Sequence, residues 1–196
     1  MMGNQQGMNK SKPLIVGGVP FSPDGATYRV AFEDKADHEA ATFTESTSPN
    51  AYYLPWADGT CTEGSFDLNP SIKYFFTAAM TGCSLWVKVD KDHKRIIFVH
   101  EGRTDTNSQE THRSNGFTLI FDSTTATKFG FSQAASLIVD AEKSETTAVY
   151  FEAYAVLDYE HKVVEFRVQM IRRLLVFKSK SYKLLDMIPT TVPLPS

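Results

Sequence analysis

Asn69-Pro70-Ser71-Ile72-Lys73-Tyr74-Phe75-Phe76-Thr77-Ala78-Ala79-Met80-Thr81-Gly82-Cys83 runs on into Ser84-Leu85-Trp86-Val87-Lys88-Val89-Asp90, and the rest of the chain is organised around this run. Its first half has helix-entry chemistry. Asn69 can cap free amides, and Pro70 suits a first helical position because the missing N–H has no partner there anyway. Ile72, Phe75, Phe76, Ala79 and Met80 fall on one helical face, and Gly82 can close a helix in a left-handed conformation. The second half alternates. Leu85, Val87 and Val89 stand against Ser84, Lys88 and Asp90, which predicts a half-buried strand with Trp86 on its more polar side. After the polar break Asp90-Lys91-Asp92-His93, Ile96 and Phe98 continue the alternation, with His100 in phase.

A turn centred between Lys91 and Asp92 would set Leu85 opposite Phe98, Val87 opposite Ile96 and Cys83 opposite His100. Directly opposed residues share a face with Cβ atoms roughly 4.5–5.5 Å apart, close enough for an imidazole to meet a thiol. A one-residue slip would turn His100 to the other face but would also mismatch the apolar sets. A Cys beside a His has a plain use: the imidazole takes the thiol proton and the thiolate attacks. The usual third part holds the other ring nitrogen. Thr77, six residues before Cys83, carries a hydroxyl suited to that task.

The run Phe75-Phe76-Thr77-Ala78-Ala79-Met80-Thr81-Gly82-Cys83, a His on the next strand and Leu54-Pro55-Trp56 upstream resemble the Burkholderia lethal factor family. These toxins are glutamine deamidases related to the catalytic domain of the cytotoxic necrotizing factors. The family pattern is Leu-Ser-Gly-Cys with a Thr six residues before the Cys. Here Met80 stands for Leu and Thr81 for Ser, and the interval from Cys to His is several residues longer. The resemblance covers roughly residues 52 to 100. It implies Cys83 as nucleophile, His100 as base and then acid, and Thr77 as the orienting residue, with no cofactor and no metal. It implies a toxin-like effector of host translation, made in a bacterial cytoplasm and delivered to the host cytosol. The implied substrate is a host protein, a DEAD-box translation initiation helicase first and a Rho-type GTPase second. Other readings of the residues stay open: another thiol acyl-transfer enzyme (a protease or a transglutaminase), or a non-catalytic β-rich adaptor, because a buried free Cys is commonly inert.

Composition sets bounds. The 196 residues are 42% hydrophobic and 22% charged, which fits one domain with a substantial core. A net charge of −3 gives no general attraction to nucleic acid. No apolar run approaches the ~20 residues of a membrane span, and the N-terminus lacks the apolar core of a secretory signal. The two cysteines, Cys61 and Cys83, are no disulfide framework. Cys61 lies in a turn-rich segment, Asp58 to Gly64, and reads as a bystander thiol.

The fold class expected is α+β: a mixed, largely antiparallel β-sandwich core flanked by helices, in a single domain spanning 13–188. Residues 1–12 read as a disordered tail and 189–196, with three prolines, as a loose C-terminal tail. Strands are expected at Tyr28–Phe32, Tyr52–Leu54 and Phe117–Phe121. Ala148–Leu157 and Lys162–Met170 should form a hairpin, with extended chain on to Leu185. Phe131–Ala141 reads as a helix. Asp34–Asn50 shows no period, and Trp56 reads as a core anchor. Glu101–Asn115, leaving directly from His100, reads as a substrate lid or as a solvated loop. His112 lies in it, without further ligands at metal-binding spacing. His161–Lys183 carries seven Lys/Arg against one Glu. That excess would either steer an acidic partner or edge a sheet against aggregation. A monomer is expected.

Overall fold

The structure, a computed structural model, describes residues 11–18, 25–56, 59–102, 106–176 and 179–195. It is α+β and sandwich-like. The larger sheet contains β1 (Leu14–Gly17), β2 (Ala26–Asp34), β3 (Glu39–Thr44), β4 (Ala51–Leu54), β6 (Tyr74–Thr77), β10 (Thr147–Asp158), β11 (Val163–Val176) and β12 (Ser179–Pro193), in the order β1-β3-β2-β4-β6-β10-β11-β12. The smaller contains β5 (Cys61–Asp67), β7 (Ser84–Asp90), β8 (Arg95–Glu101) and β9 (Thr118–Asp122), in the order β5-β8-β7-β9. Helices α1 (Thr106–Ser114) and α2 (Ala134–Glu142) flank them.

The expected helix at Asn69–Gly82 is instead a turn and a strand. The Asn69 side chain accepts from Ser71 N–H at 2.9 Å and its carbonyl accepts from Ile72 N–H, so Asn69-Pro70 makes a turn rather than a helix cap. β6 then pairs in parallel with β4 and antiparallel with β10. Its apolar residues are continuous because both faces are covered. Phe75 joins the core between the sheets, while Phe76 joins a second cluster with Tyr28, Phe43 and Tyr154. A short apolar run buried on both faces cannot be told from a buried helix by period alone. Met80 bridges to Phe151 through two backbone hydrogen bonds, which leaves Thr81-Gly82 as a turn; Gly82 does take a left-handed φ of 78°.

β10 packs both ways. Phe151, Ala153, Ala155 and Leu157 face the smaller sheet. Tyr154 faces the opposite way, toward the curl formed by β1, β3 and β2. Gln169 ties that curl shut. Its side-chain amide donates to Leu14 O at 3.0 Å and accepts from Leu14 N–H at 2.8 Å, as a neighbouring strand would. Tyr182 N–H donates to Asp37 at 2.7 Å from the other side.

Several further expectations change. β3 fills part of the segment read as aperiodic, burying Ala41 and Phe43 against exposed Thr42 and Thr44. β5 replaces the loop read after Cys61; a Cβ at Gly64 would collide with the Tyr52 side chain, so the strand carries glycine where the sheets meet. β12 runs through Pro193, and Val192 and Leu194 are buried, in place of a loose tail. Trp56 is exposed rather than a core anchor. Of the expected N-terminal tail, residues 1–10 lie outside the described residues, and Lys12 pairs with Asp34 at 2.7 Å. Among the described residues no helix is long and apolar enough to cross a membrane.

Candidate active site

The hairpin of β7 and β8 forms as expected, but two residues out of the expected register. Leu85 lies opposite His100, Val87 opposite Phe98 and Val89 opposite Ile96. The connection is four residues, closed by Lys94 at a left-handed φ of 49°, rather than a two-residue turn. A shift of two preserves faces. His100 therefore still points into the space between the sheets, fully buried, and Cys83 is diagonal to it rather than directly opposite. Diagonal neighbours are roughly 7–8 Å apart at Cα, within reach of longer side chains.

The partner of His100 comes from across the sandwich. Phe75 of β6 stacks on Phe98 of β8 with centroids 3.8 Å apart and planes within 10°. Two residues on in each strand, Thr77 meets His100: Thr77 Oγ1 is 2.7 Å from Nδ1. The same hydroxyl donates to Leu54 O at 3.0 Å. A threonine has one hydroxyl proton. Spent on Leu54, it leaves the oxygen to accept from Nδ1–H, which assigns the tautomer. Nε2 then carries a lone pair, buried and without a hydrogen-bond partner among the described residues. Desolvation lowers the His100 pKa from 6.5 to about 4, so the ring is neutral near pH 7.

Cys83 is also buried, 1% exposed. Its Sγ is 3.5 Å from Thr81 O. The thiol–imidazole hydrogen bond expected from the sequence is therefore not made, since Nε2 has no such partner. The main chain of Cys83 is held by Ser123, a residue the sequence reading missed. Ser123 Oγ accepts from Cys83 N–H at 2.8 Å and donates to Cys83 O at 2.9 Å, and Ser123 N–H donates to the same carbonyl. Only the spatial approach of the end of β9 to Cys83 identifies it; the 40 intervening residues carry no signal. The amide of Cys83 is thereby occupied and is not a free oxyanion donor.

A cavity of about 480 Å³ opens beside this turn, walled by Thr81, Gly82 and Ser123 on one side and by α2 and the start of β10 on the other. Space next to Gly82 is open: a Cβ there would meet nothing within 4 Å.

The segment after His100 is not a lid over this site. Glu101 turns to the outer face of the smaller sheet, where Ser84 Oγ donates to it at 3.0 Å and His112 Nε2 is 3.6 Å away. His112 of α1 lies 5.0 Å from the Trp86 ring, and Trp86 Nε1 donates to Ser84 Oγ at 2.8 Å. That covering explains Trp86 on a polar-looking face: it is fully buried under α1. His112 and His100 thus sit on opposite faces of the sheet. Among the described residues no group of His, Cys, Asp or Glu is placed to hold a metal ion. Cys61 is exposed, yet the partial desolvation of its thiol, with Glu101 and Glu63 nearby, pushes its pKa up rather than leaving it ordinary.

No protein-family model matches this chain, and no curated protein matches it.

Proposed function

We propose that the chain is a thiol-dependent protein glutamine deamidase. The observation that carries this reading is the hydrogen-bonded series Leu54 O, Thr77 hydroxyl, His100 Nδ1. It fixes the imidazole with Nε2 as a bare lone pair on the face that also holds Cys83. Such a nitrogen is a general base without a substrate. In the reaction, Cys83 Sγ leaves Thr81 O, gives its proton to Nε2 and forms a bond to the carboxamide carbon of a glutamine. The imidazolium is steadied by its Nδ1–H to Thr77. It returns the proton to the departing nitrogen as the C–N bond breaks and ammonia leaves. Water, deprotonated by the same Nε2, then adds to the thioester, and the C–S bond breaks to give glutamate and the free thiol. The carboxamide enters through the cavity at Thr81 and Gly82, which requires that turn to move aside from Cys83.

The resemblance to the lethal factor family adds the substrate class: a host protein, with a translation initiation helicase ahead of a Rho-type GTPase, and action in the host cytosol as an effector. The test is incubation with host-cell lysate, with mass spectrometry for Gln-to-Glu conversion and an assay for ammonia. Conversion by the wild type and none by Cys83→Ala supports the reading. A new peptide end or a crosslink in place of conversion identifies a protease or a transglutaminase. No product with any lysate, with Cys83 intact, leaves the adaptor.

A further inference from the structure

A second cavity, about 410 Å³, lies on the other side of the Thr81 turn. Thr81, Ala148 and Val149 line both cavities, so the two share a wall two residues from Cys83. The second is built on the opposite face of the larger sheet, inside the curl. Tyr150 and Glu152 alternate on one face of β10. The register of β10 with β11 and of β11 with β12 puts Arg173, Tyr182 and Lys180 on that same face. Glu152 forms the floor, 6% exposed, and accepts a long bond of 3.3 Å from Val16 N–H. Arg173 and Lys180 are exposed at the mouth. The proposed reaction uses none of these residues. Two of the cations from the basic excess of His161–Lys183 are thereby placed at a concave site.

The charges decide the ligand. Burial raises the Glu152 pKa from 4.5 to about 8, so at neutral pH the floor is an uncharged acid that can donate a hydrogen bond. The mouth then carries the positive charges of Arg173 and Lys180 over a neutral donor, with Asp37, which accepts from Tyr182 N–H, as a carboxylate beside the rim. A cationic side chain would meet two like charges; a carboxylate meets two opposite charges and a proton donor. We propose that this cavity is a subsite for an acidic side chain of the polypeptide substrate, a few residues from the glutamine. This rests on the deamidase reading for the word substrate, and on the cavity itself for the ligand class.

The acid at the floor gives the subsite a pH signature. Facing Glu152 are Tyr53 from β4, Tyr150 from β10, Tyr182 and Lys180 from β12, Arg173 from β11 and the Val16 amide from β1. All three phenols are pushed up, Tyr53 to about 12, so they stay neutral through the useful range. Ionisation of Glu152 as pH rises past about 8 puts a negative charge beneath the bound carboxylate and weakens it.

The experiment uses the full chain carrying Cys83→Ala and labelled peptides with one Gln and, one to four residues away, Glu, Gln or Lys. Fluorescence anisotropy is read from about pH 6.5 to about pH 9. The expected result is that at one spacing the Glu peptide binds about tenfold tighter than its Gln isostere, with the advantage fading as pH rises. Arg173→Ala with Lys180→Ala should erase the preference, and both residues are exposed, so folding is not at stake. Glu152→Gln should keep the preference and lose its pH dependence. Equal affinity for Glu, Gln and Lys peptides overturns the subsite, as does a preference that survives loss of both cations. The wild type is assayed for conversion of the same peptides. Conversion without acidic preference overturns the subsite alone. Acidic preference without conversion of these peptides or of any lysate protein supports the ligand class and overturns the deamidase reading.

Discussion

His100 and Glu152 lie on opposite sides of the larger sheet and are treated alike by the fold. Each is buried, and each is driven to its neutral form: His100 down to about 4, Glu152 up to about 8. The difference is in what neutrality leaves behind. For the imidazole it leaves a lone pair, aimed by a threonine whose own proton is committed elsewhere. For the carboxyl it leaves a proton, at the floor of a cavity whose mouth is cationic. Withdrawal from water thus makes a base on one side and an acid donor on the other, without a charged neighbour directing either. Strand alternation does the sorting, since Glu152 and Phe151 face opposite ways on β10.

The two buried groups part most visibly in activity. Cys83→Ala should abolish Gln-to-Glu conversion, and His100→Ala should lower it about 10⁴-fold, with the double variant little worse than either because the pair acts as a unit. Ammonia release beside a thermal melt separates lost chemistry from lost fold. Full activity of Cys83→Ala would end the assignment.

They part next in the pH dependence of stability. The unfolded state protonates an ordinary Glu near 4.5 while folded Glu152 holds its proton to about 8, so its contribution is lost as pH rises through that window, about 5 kcal/mol at most. Unfolded His takes a proton below 6.5 while folded His100 resists to about 4, so its contribution is lost as pH falls through that window, about 3 kcal/mol at most. Between about 4.5 and about 6.5 the slopes oppose and cancel. Urea titrations should therefore find a plateau there in the wild type. Replacing His100 with Asn should unmask the fall toward alkaline pH, and Glu152→Gln the fall toward acid. A flat profile in both variants would mean that neither group is shielded in solution.

Thr77→Val should act more gently. It strands the Leu54 carbonyl and His100 Nδ1, at about 1–3 kcal/mol, and frees the ring to change tautomer. Imidazole nitrogen NMR should then report a mixture, with activity reduced about tenfold. Unchanged activity would move the orienting role away from this hydroxyl. The smallest effect is at the thiols. An alkylating reagent should reach exposed Cys61 before buried Cys83, despite the raised pKa of Cys61, and Cys61→Ser should change stability by no more than about 0.5 kcal/mol.

How far the sequence carried differs by element, for physical reasons. The alternating strands around Val87, Phe98, Leu119 and Val168 were legible because each keeps one face apolar. The face of His100 was legible although the register was two residues off, since only odd slips exchange faces. Lys94 in a left-handed conformation was the hidden reason for the shift, as lysine carries no turn signal of its own. β6 reads as helix because Phe75 and Phe76 are both buried, and α1 gives no apolar period because Thr106–Ser114 is polar throughout. Thr77 reaches His100 from a strand rather than from the expected helix, because the Phe75–Phe98 stack places it there. Ser123 and Glu152 depend on chain crossings that no local pattern encodes.

The Gln169 clamp on Leu14 has a consequence for the order of assembly. The two residues are 155 apart in sequence, and the side-chain amide satisfies both polar groups of Leu14 at once. During synthesis β1 emerges long before β11. Loop-closure entropy makes so distant a contact costly until the intervening strands have shortened the effective loop. β1 is thus made long before the strand that holds it, and loop entropy favours closing the curl around Glu152 late, once the intervening strands are in place.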